Sequence, residues 1–398
     1  MSSSRPVLLF YCQHAVGMGH LVRSLALAAA LADRFRVVFL SGGRMPRGLP
    51  LPRDVEVRAL PPLALGPDNR LISCDRRRGV ERAQQVRREQ ILAAFEQLQP
   101  AAIVVELFPF GRKKFAPELL PLLERARQPG SRRPLVICSL RDILVGRPGD
   151  QRSHDERAVN WANTYFDAVL VHADPRVARL EDTFKPATPL RIPVEYTGFV
   201  LGEPACDHSR AKAGNRRVIV SAGGGLVGEP LFRAALEAQQ PLWASERLET
   251  HIVTGPFLPE AAWQSLRAAA THQPGLRLRR FVPDLRARMR ASVASVSQCG
   301  YNTALDLLWS GVPSLVVPYA EGAEDEQTRR ARRLEALGAV RVLPADRLDG
   351  PTLAREVRAL LEFQPAPLAI DLDGARNTTR LLEDLLDGLA SGRGRQRR

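Results

Sequence analysis

The chain has 398 residues, 45% hydrophobic and 25% charged, enough to bury a sizeable core and, at this length, to divide into two domains. Its 57 Lys and Arg against 43 Asp and Glu give a formal charge of +14, which suits a phosphate-bearing partner. No window approaches the roughly 20 apolar residues of a membrane-spanning helix, and the start, MSSSRPVLLFYCQ, lacks a signal peptide's apolar stretch and cleavage site, so a cytoplasmic protein is expected.

Strand-like apolar runs begin at once: VLLFYCQ (7–13), VVFLSG (37–42), VEVRALP (55–61), AAIVVELF (101–108), LVICSL (135–140), DAVLVHAD (167–174) and RIPVEYTGF (191–199). They are continuous rather than alternating, the pattern of strands covered on both faces in a parallel sheet, and helix-like segments separate them. Residues 201–216 lose the pattern and read as a hinge. The alternation restarts with RVIVSAG (217–223), HIVTG (251–255), LRLRRFV (276–282), SVASVS (292–297), PSLVVPY (313–319) and AVRVLP (339–344). An α/β chain of two doubly wound domains follows: 1–200 and 217–375, a final helix at 376–390 that could pack on either domain, and a basic tail at 391–398. Cys12, Cys74, Cys138, Cys206 and Cys299, odd in number and widely spaced, indicate neither a disulfide framework nor a zinc site. No metal-ligand cluster and no cofactor signature is visible.

In doubly wound folds, ligands bind at the carboxyl ends of the strands, so the residues just after each strand are the candidates. After the first strand comes HAVGMGH: His14, then Gly17 and Gly19, which permit a tight turn, then His20 at the start of a helix carrying Leu21, Leu25, Ala28 and Ala32 on one face. His20 is either a cleft residue or a helix cap. Glu106 and Asp142 also follow strands, as acids or bases or as salt-bridge partners of Arg112 or Arg141. The basic patches Arg76–Arg78, Arg87–Arg88 and Arg112–Lys114 could face a membrane surface or an anionic acceptor. In the second half, Gly223, Gly224, Gly225 and Gly228 join a strand to a helix; a phosphate-facing loop is favoured over a merely flexible one, because so many glycines cost entropy without an evident structural need. Further on, Gly300 turns the chain into a helix starting near Asn302 and Thr303, whose free amides could hold a diphosphate. Asp306, one turn in, could accept from ribose hydroxyls. Gln327, on one face with Ala331 and Leu334, could donate to and accept from a sugar.

The elements FVPDLRARM (281–289), CGYNTALD (299–306), GVPSLVVPY (311–319), DEQ (325–327) and LGAVRVL (337–343) together resemble the nucleotide-sugar half of GT-B glycosyltransferases, in particular family 28 and its lipid-linked peptidoglycan-precursor N-acetylglucosaminyltransferases. GMGHLVRSLALAAAL (17–31) resembles the corresponding first-domain segment more loosely. The resemblance implies two Rossmann-like domains facing each other across a cleft. It also implies a UDP-sugar with its base stacked at Phe281 and read by the Val282 backbone, diphosphate on Asn302 and Thr303, ribose on Asp306, and sugar near Asp325 and Gln327. Departures are Arg330 where the family carries asparagine, Asp306 where glutamate is usual, and Gln298–Cys299 where arginine and serine are common.

The resulting expectation is a metal-independent, inverting transferase. It moves a hexose or N-acetylhexosamine from a nucleotide donor to the hydroxyl of a small-molecule, glycan or lipid-linked acceptor, with His20 as the first choice of base. Peripheral contact with the membrane inner face is compatible with this. Two other classes compete: a nucleotide-sugar hydrolase or epimerase, which Gly17–Arg23 also resembles, and a non-catalytic binder of nucleic acid or an anionic surface. Few aromatics and no nucleic-acid motif count against the last.

Overall fold

The computed structural model describes every residue except 1–4, 15–18, 47–48, 67, 69, 76, 130–132, 145–149, 203–215, 283, 320–324 and 392–398. Residues 203–215 of the proposed hinge, Gly17, Arg76, Cys206 and most of the basic tail therefore lie outside the described residues. Two compact units emerge: one holds the described residues of Met1–Leu144, Gly149–Gly202 and Asp373–Arg398, the other those of Glu203–Leu372.

The first unit runs β1 (Val7–Cys12), α1 (Gly19–Leu31), β2 (Arg36–Ser41), β3 (Val55–Ala59), β4 (Leu63–Leu65), β5 (Leu71–Ser73), α2 (Val80–Leu98), β6 (Ala102–Glu106), α3 (Ala116–Ala126), β7 (Leu135–Arg141), α4 (Gln151–Tyr165), β8 (Ala168–His172) and β9 (Val194–Tyr196). Seven strands form one parallel sheet in the order β3-β2-β1-β6-β7-β8-β9. The continuous apolar runs are explained by burial on both faces: Leu8, Leu9, Phe10 and Tyr11 are all fully buried. The antiparallel pair β4–β5 is an addition that the residue pattern does not announce, because three residues are too few to show a period. Leu21, Leu25, Ala28 and Ala32 of the α1 segment are buried, as a helix face with that spacing requires.

One reading of the basic residues is corrected by burial. Arg87, on α2, is not part of an exposed patch: it is fully buried. Its guanidinium donates to both oxygens of Glu118 on α3 (2.7 and 2.6 Å), to the Gly42 and Pro61 carbonyls, to Gln13 Oε1 and to Tyr11 Oη. A buried charge is tolerated only when paired and hydrogen-bonded in this way. Arg88 is exposed.

The second unit runs β10 (Arg217–Ser221), α5 (Glu229–Glu246), β11 (Glu249–Val253), α6 (Glu260–Ala270), β12 (Leu276–Arg279), α7 (Leu285–Arg290), β13 (Ala294–Ser297), α8 (Tyr301–Ser310), β14 (Ser314–Val316), α9 (Glu326–Ala336), β15 (Arg341–Val342) and α10 (Gly350–Leu360). Its six parallel strands are ordered β12-β11-β10-β13-β14-β15 around a core that includes Val218, Val220, Phe232, Ile252 and Leu315. The last helix, α11 (Gly374–Ala390), returns to the first unit, where it packs on α1 and buries Leu382 in that core. No helix among the described residues is long and apolar enough to cross a membrane. Cys12, Cys138 and Cys299 are buried thiols, Cys74 is half-buried, and all four are free.

Candidate functional site

Both sheets reverse their strand order once, at β1/β6 and at β10/β13. At such a switch point, the loops leaving neighbouring strands run to opposite faces and open a crevice at the carboxyl end. In the first unit these loops carry His20, at the start of α1, and Glu106, the last residue of β6. His20 Nδ1 lies 2.6 Å from Glu106 Oε1, and Arg23 Nη2, one turn further along α1, lies 2.6 Å from the same oxygen. Glu106 and Arg23 are buried, while the His20 side chain keeps 15% of its surface.

Burial pushes the His20 imidazole down to about 4, helped by the Arg112 and Arg141 charges and opposed by Glu106. Burial alone would raise Glu106, but His20, Arg23 and Arg112 outweigh it and keep the carboxyl ionised at neutral pH. An ionised carboxylate only accepts, so a neutral His20 donates Nδ1–H to Glu106 and leaves Nε2 as an unprotonated acceptor. Nε2 has no hydrogen-bond partner among the described residues. Such a pair can take a proton from a hydroxyl. The salt-bridge reading of Glu106 thus holds with a different cation, Arg23 rather than Arg112 or Arg141.

The other first-unit candidates are placed differently. His14 is buried, bonds Ser41 Oγ at 2.9 Å through Nε2 and is pushed down to about 4 by burial, so it secures the end of β2. Asp142 lies just beyond β7, buried and engaged. Gly19 is the first residue of α1.

In the second unit, the loops at the switch point are the glycine run after β10 and the turn after β13. Gly300 caps α8 without a side-chain cap, and neither the Asn302 nor the Thr303 amide has a hydrogen-bond partner among the described residues. These are the orphan donors of a helix N-terminus, a ready site for an anion. A methyl at Gly300 would meet nothing within 4 Å, so the turn faces open space. Gly223 adjoins it, its Cβ position 3.7 Å from Thr303 Oγ1.

The glycine run does have a structural need, contrary to the sequence expectation. A Cβ at Gly225 would lie 1.9 Å from the Thr254 carbonyl oxygen, and one at Gly228 would lie 2.4 Å from Ala222 Cβ. Gly224 is nearly as tight, 3.0 Å from the Phe257 ring, so these glycines let the loops after β10 and β11 pack against each other. Gln298 helps hold them, donating Nε2–H to the Val227 carbonyl at 3.1 Å.

Phe281, after β12, is 65% exposed while Val282 beside it is buried. Asp306, on α8, is half-buried; burial pushes it up to about 7 despite Arg286 Nε at 3.4 Å. Arg286 in turn lies over Trp309, with its guanidinium 5.3 Å from the ring. The Arg286–Asp306–Trp309 group was legible only as Asp306; the i,i+3 spacing of Asp306 and Trp309 on α8 was the available signal.

Gln327 needs a correction. Its Oε1 already accepts from the backbone amides of Cys299 (3.0 Å) and Tyr319 (3.2 Å), so only its amide hydrogens are left for a ligand. Arg330, the departure from the family pattern, is buried and donates to the Cys299 carbonyl at 2.7 Å and to Glu326 at 2.9 Å, tying α9 to the turn that opens α8. Asp325 pairs with Arg329 at 2.6 Å. No group of three or more His, Cys, Asp or Glu that could hold a metal ion exists among the described residues.

Residues 218–381 match the model of the glycosyltransferase family 28 C-terminal domain. A similar curated protein is the UDP-N-acetylglucosamine--N-acetylmuramyl-(pentapeptide) pyrophosphoryl-undecaprenol N-acetylglucosamine transferase of Chromohalobacter salexigens, 30% identical over 200 residues, 50% of this chain and 53% of that one. The chain spans about half the length of the curated relatives it matches. Among solved structures, MurG of Acinetobacter baumannii aligns with a TM-score of 0.58 at 16% identity, covering 96% of this chain and 99% of that one. A putative UDP-N-acetylglucosamine 2-epimerase from Listeria monocytogenes aligns at 0.62 with 13% identity, covering 97% of each. These likenesses show the fold, which is GT-B.

Proposed function

We propose, from the match of residues 218–381 to the model of the glycosyltransferase family 28 C-terminal domain, that this GT-B chain moves a hexose or N-acetylhexosamine from a UDP donor to a hydroxyl acceptor with inversion. The observation that carries this reading is the pair of Asn302 and Thr303 amides at the start of α8, without a partner among the described residues, at the second unit's switch point beside the glycine run. The Asn302 and Thr303 amides receive the diphosphate and stabilise it as it leaves, so the reading needs no metal for charge neutralisation. Phe281 stacks on the base and Val282 offers its backbone. Asp306 accepts from the ribose hydroxyls, and Gln327 donates to the sugar near Asp325.

His20 Nε2 takes the acceptor's hydroxyl proton while Glu106 holds the imidazole in the tautomer that leaves Nε2 free. Asp142 is the alternative base or a further orienting acid. Gly19, the first residue of α1, and His14, at the end of β2, flank the acceptor side. The relatives' printed acceptor is lipid-linked, so this reading includes a lipid-linked acceptor approached from the cytoplasmic side, with peripheral membrane contact.

The test is calorimetric titration with UDP and with a panel of nucleotide sugars, together with Phe281→Ala. UDP binding is expected in the wild type and should weaken about 5- to 150-fold in the variant, the range of about 1–3 kcal/mol measured for stacking one base on an aromatic side chain. Because Phe281 is 65% exposed, its unfolding transition should barely move. No UDP binding by the wild type would overturn the reading.

A further inference from the structure

The segment ELFPFGRKKF (106–115), between β6 and α3, is built as a mount. Phe108, Phe110 and Phe115 are buried, Phe108 stacked on Trp161 with ring centres 5.3 Å apart and Phe110 edge-on to Phe184 at 4.9 Å. The Gly111 amide closes back onto the Leu107 carbonyl at 2.8 Å, and the Phe115 amide onto the Arg112 carbonyl at 2.8 Å. Between these anchors, Arg112 is held at φ 57°, a left-handed conformation that non-glycine residues seldom adopt.

That backbone conformation caps the short turn at 113–115 through the Arg112 carbonyl, and the side chain takes no part in it. The Arg112 guanidinium has no hydrogen bond or ion pair among the described residues, although its Nε is fully buried. Its segment leaves β6 directly after Glu106, the residue that His20 bonds, so Arg112 belongs to the loop of the same switch point. His20 and Arg23 both bond Glu106 Oε1, and Arg112, on the loop that leaves β6 after Glu106, bonds neither carboxylate oxygen.

We propose that Arg112 is a binding residue for an anionic group, phosphate or carboxylate, carried by the acceptor and held beside His20. The proposal rests on the transferase reading for the word acceptor only. A planar guanidinium on a rigid loop suits bidentate capture of either oxyanion, and a fixed anchor one loop from the base would hold the attacking hydroxyl in line with it. The basic charge of the chain then has a local use at this loop.

The experiment titrates the full chain separately with inorganic phosphate and with acetate while following the His20 ring resonances and their pH dependence by NMR. An anion seated at Arg112 raises the His20 pKa, so one of the two anions should shift it and the other less, which identifies the class. In Arg112→Gln the anion's apparent Kd should weaken by at least about tenfold, and in Arg112→Lys by less, since the charge stays while the fork is lost. UDP affinity should be equal in all three proteins. An undisturbed His20 in the wild type with both anions, or an equal response in Arg112→Gln, overturns the proposal. Absence of UDP binding with an intact anion response would instead sink the transferase reading alone. Thermal melting of both variants shows that they fold, and Arg112→Lys keeps the test open if Arg112→Gln does not.

Discussion

His20 donates its Nδ1 proton to Glu106 across 2.6 Å, linking the first turn of α1 to the last residue of β6 at the point where the first sheet reverses its strand order. Glu106 also receives Arg23, so one buried carboxylate fixes the imidazole and neutralises a buried guanidinium. The pH dependence and the stability expected of this site both follow from that sharing.

His20→Ala should lower kcat by about 100- to 10,000-fold, the usual contribution of a positioned acid or base, with UDP affinity within twofold of the wild type. Burial pushes His20 down to about 4, so the acid limb of kcat/KM should fall near pH 4 rather than near 6.5. Steady-state rates from pH 4 to 8 check this, and a limb centred at 6.5 would show that the imidazole is solvated during turnover.

Glu106→Ala removes the buried carboxylate that Arg23 and His20 share and should cost about 3–5 kcal/mol in urea unfolding, whereas His20→Ala should cost much less. The folded state resists protonation of His20 (about 4) and His172 (about 3), while their unfolded forms take up protons near 6.5. Stability is therefore fully present above pH 6.5 and declines as pH falls from there toward 4. Glu106, held below its unfolded value, adds a loss that begins below about 4.5. A urea midpoint that is level between pH 7 and 5 would contradict the burial of these histidines.

Asp306 is pushed up to about 7 by burial, so it gains charge just where the cell works. Ribose hydroxyls donate more strongly to a carboxylate than to a carboxylic acid. UDP affinity should therefore rise about tenfold from pH 6 to 8 in the wild type and stay flat in Asp306→Asn. Calorimetry at the two pH values decides it; a wild type as flat as the variant would remove Asp306 from the nucleotide site.

Local patterns carried much of the architecture. Uninterrupted apolar runs such as VLLFYC and VIVS can be strands only if both faces are covered, and Gly300 followed by an uncapped helix start is a backbone event readable from residue types alone. The motifs in 281–343 placed the second-unit candidates because they lie on consecutive loops of one sheet.

What required the tertiary structure was every statement about who meets whom. Arg87 looked like half of a basic pair on a helix surface until Tyr11, Gln13, Gly42, Pro61 and Glu118, from four separate places in the chain, closed around it. Gln327 looked free to recognise a sugar until two backbone amides claimed its oxygen. Glu106 and His20 are 86 residues apart, and only the order of the strands makes them partners. Sequence fixes a residue's chemistry and its local backbone, because those depend on neighbours along the chain. Pairing, burial and proton affinity depend on neighbours in space, and these the fold alone supplies.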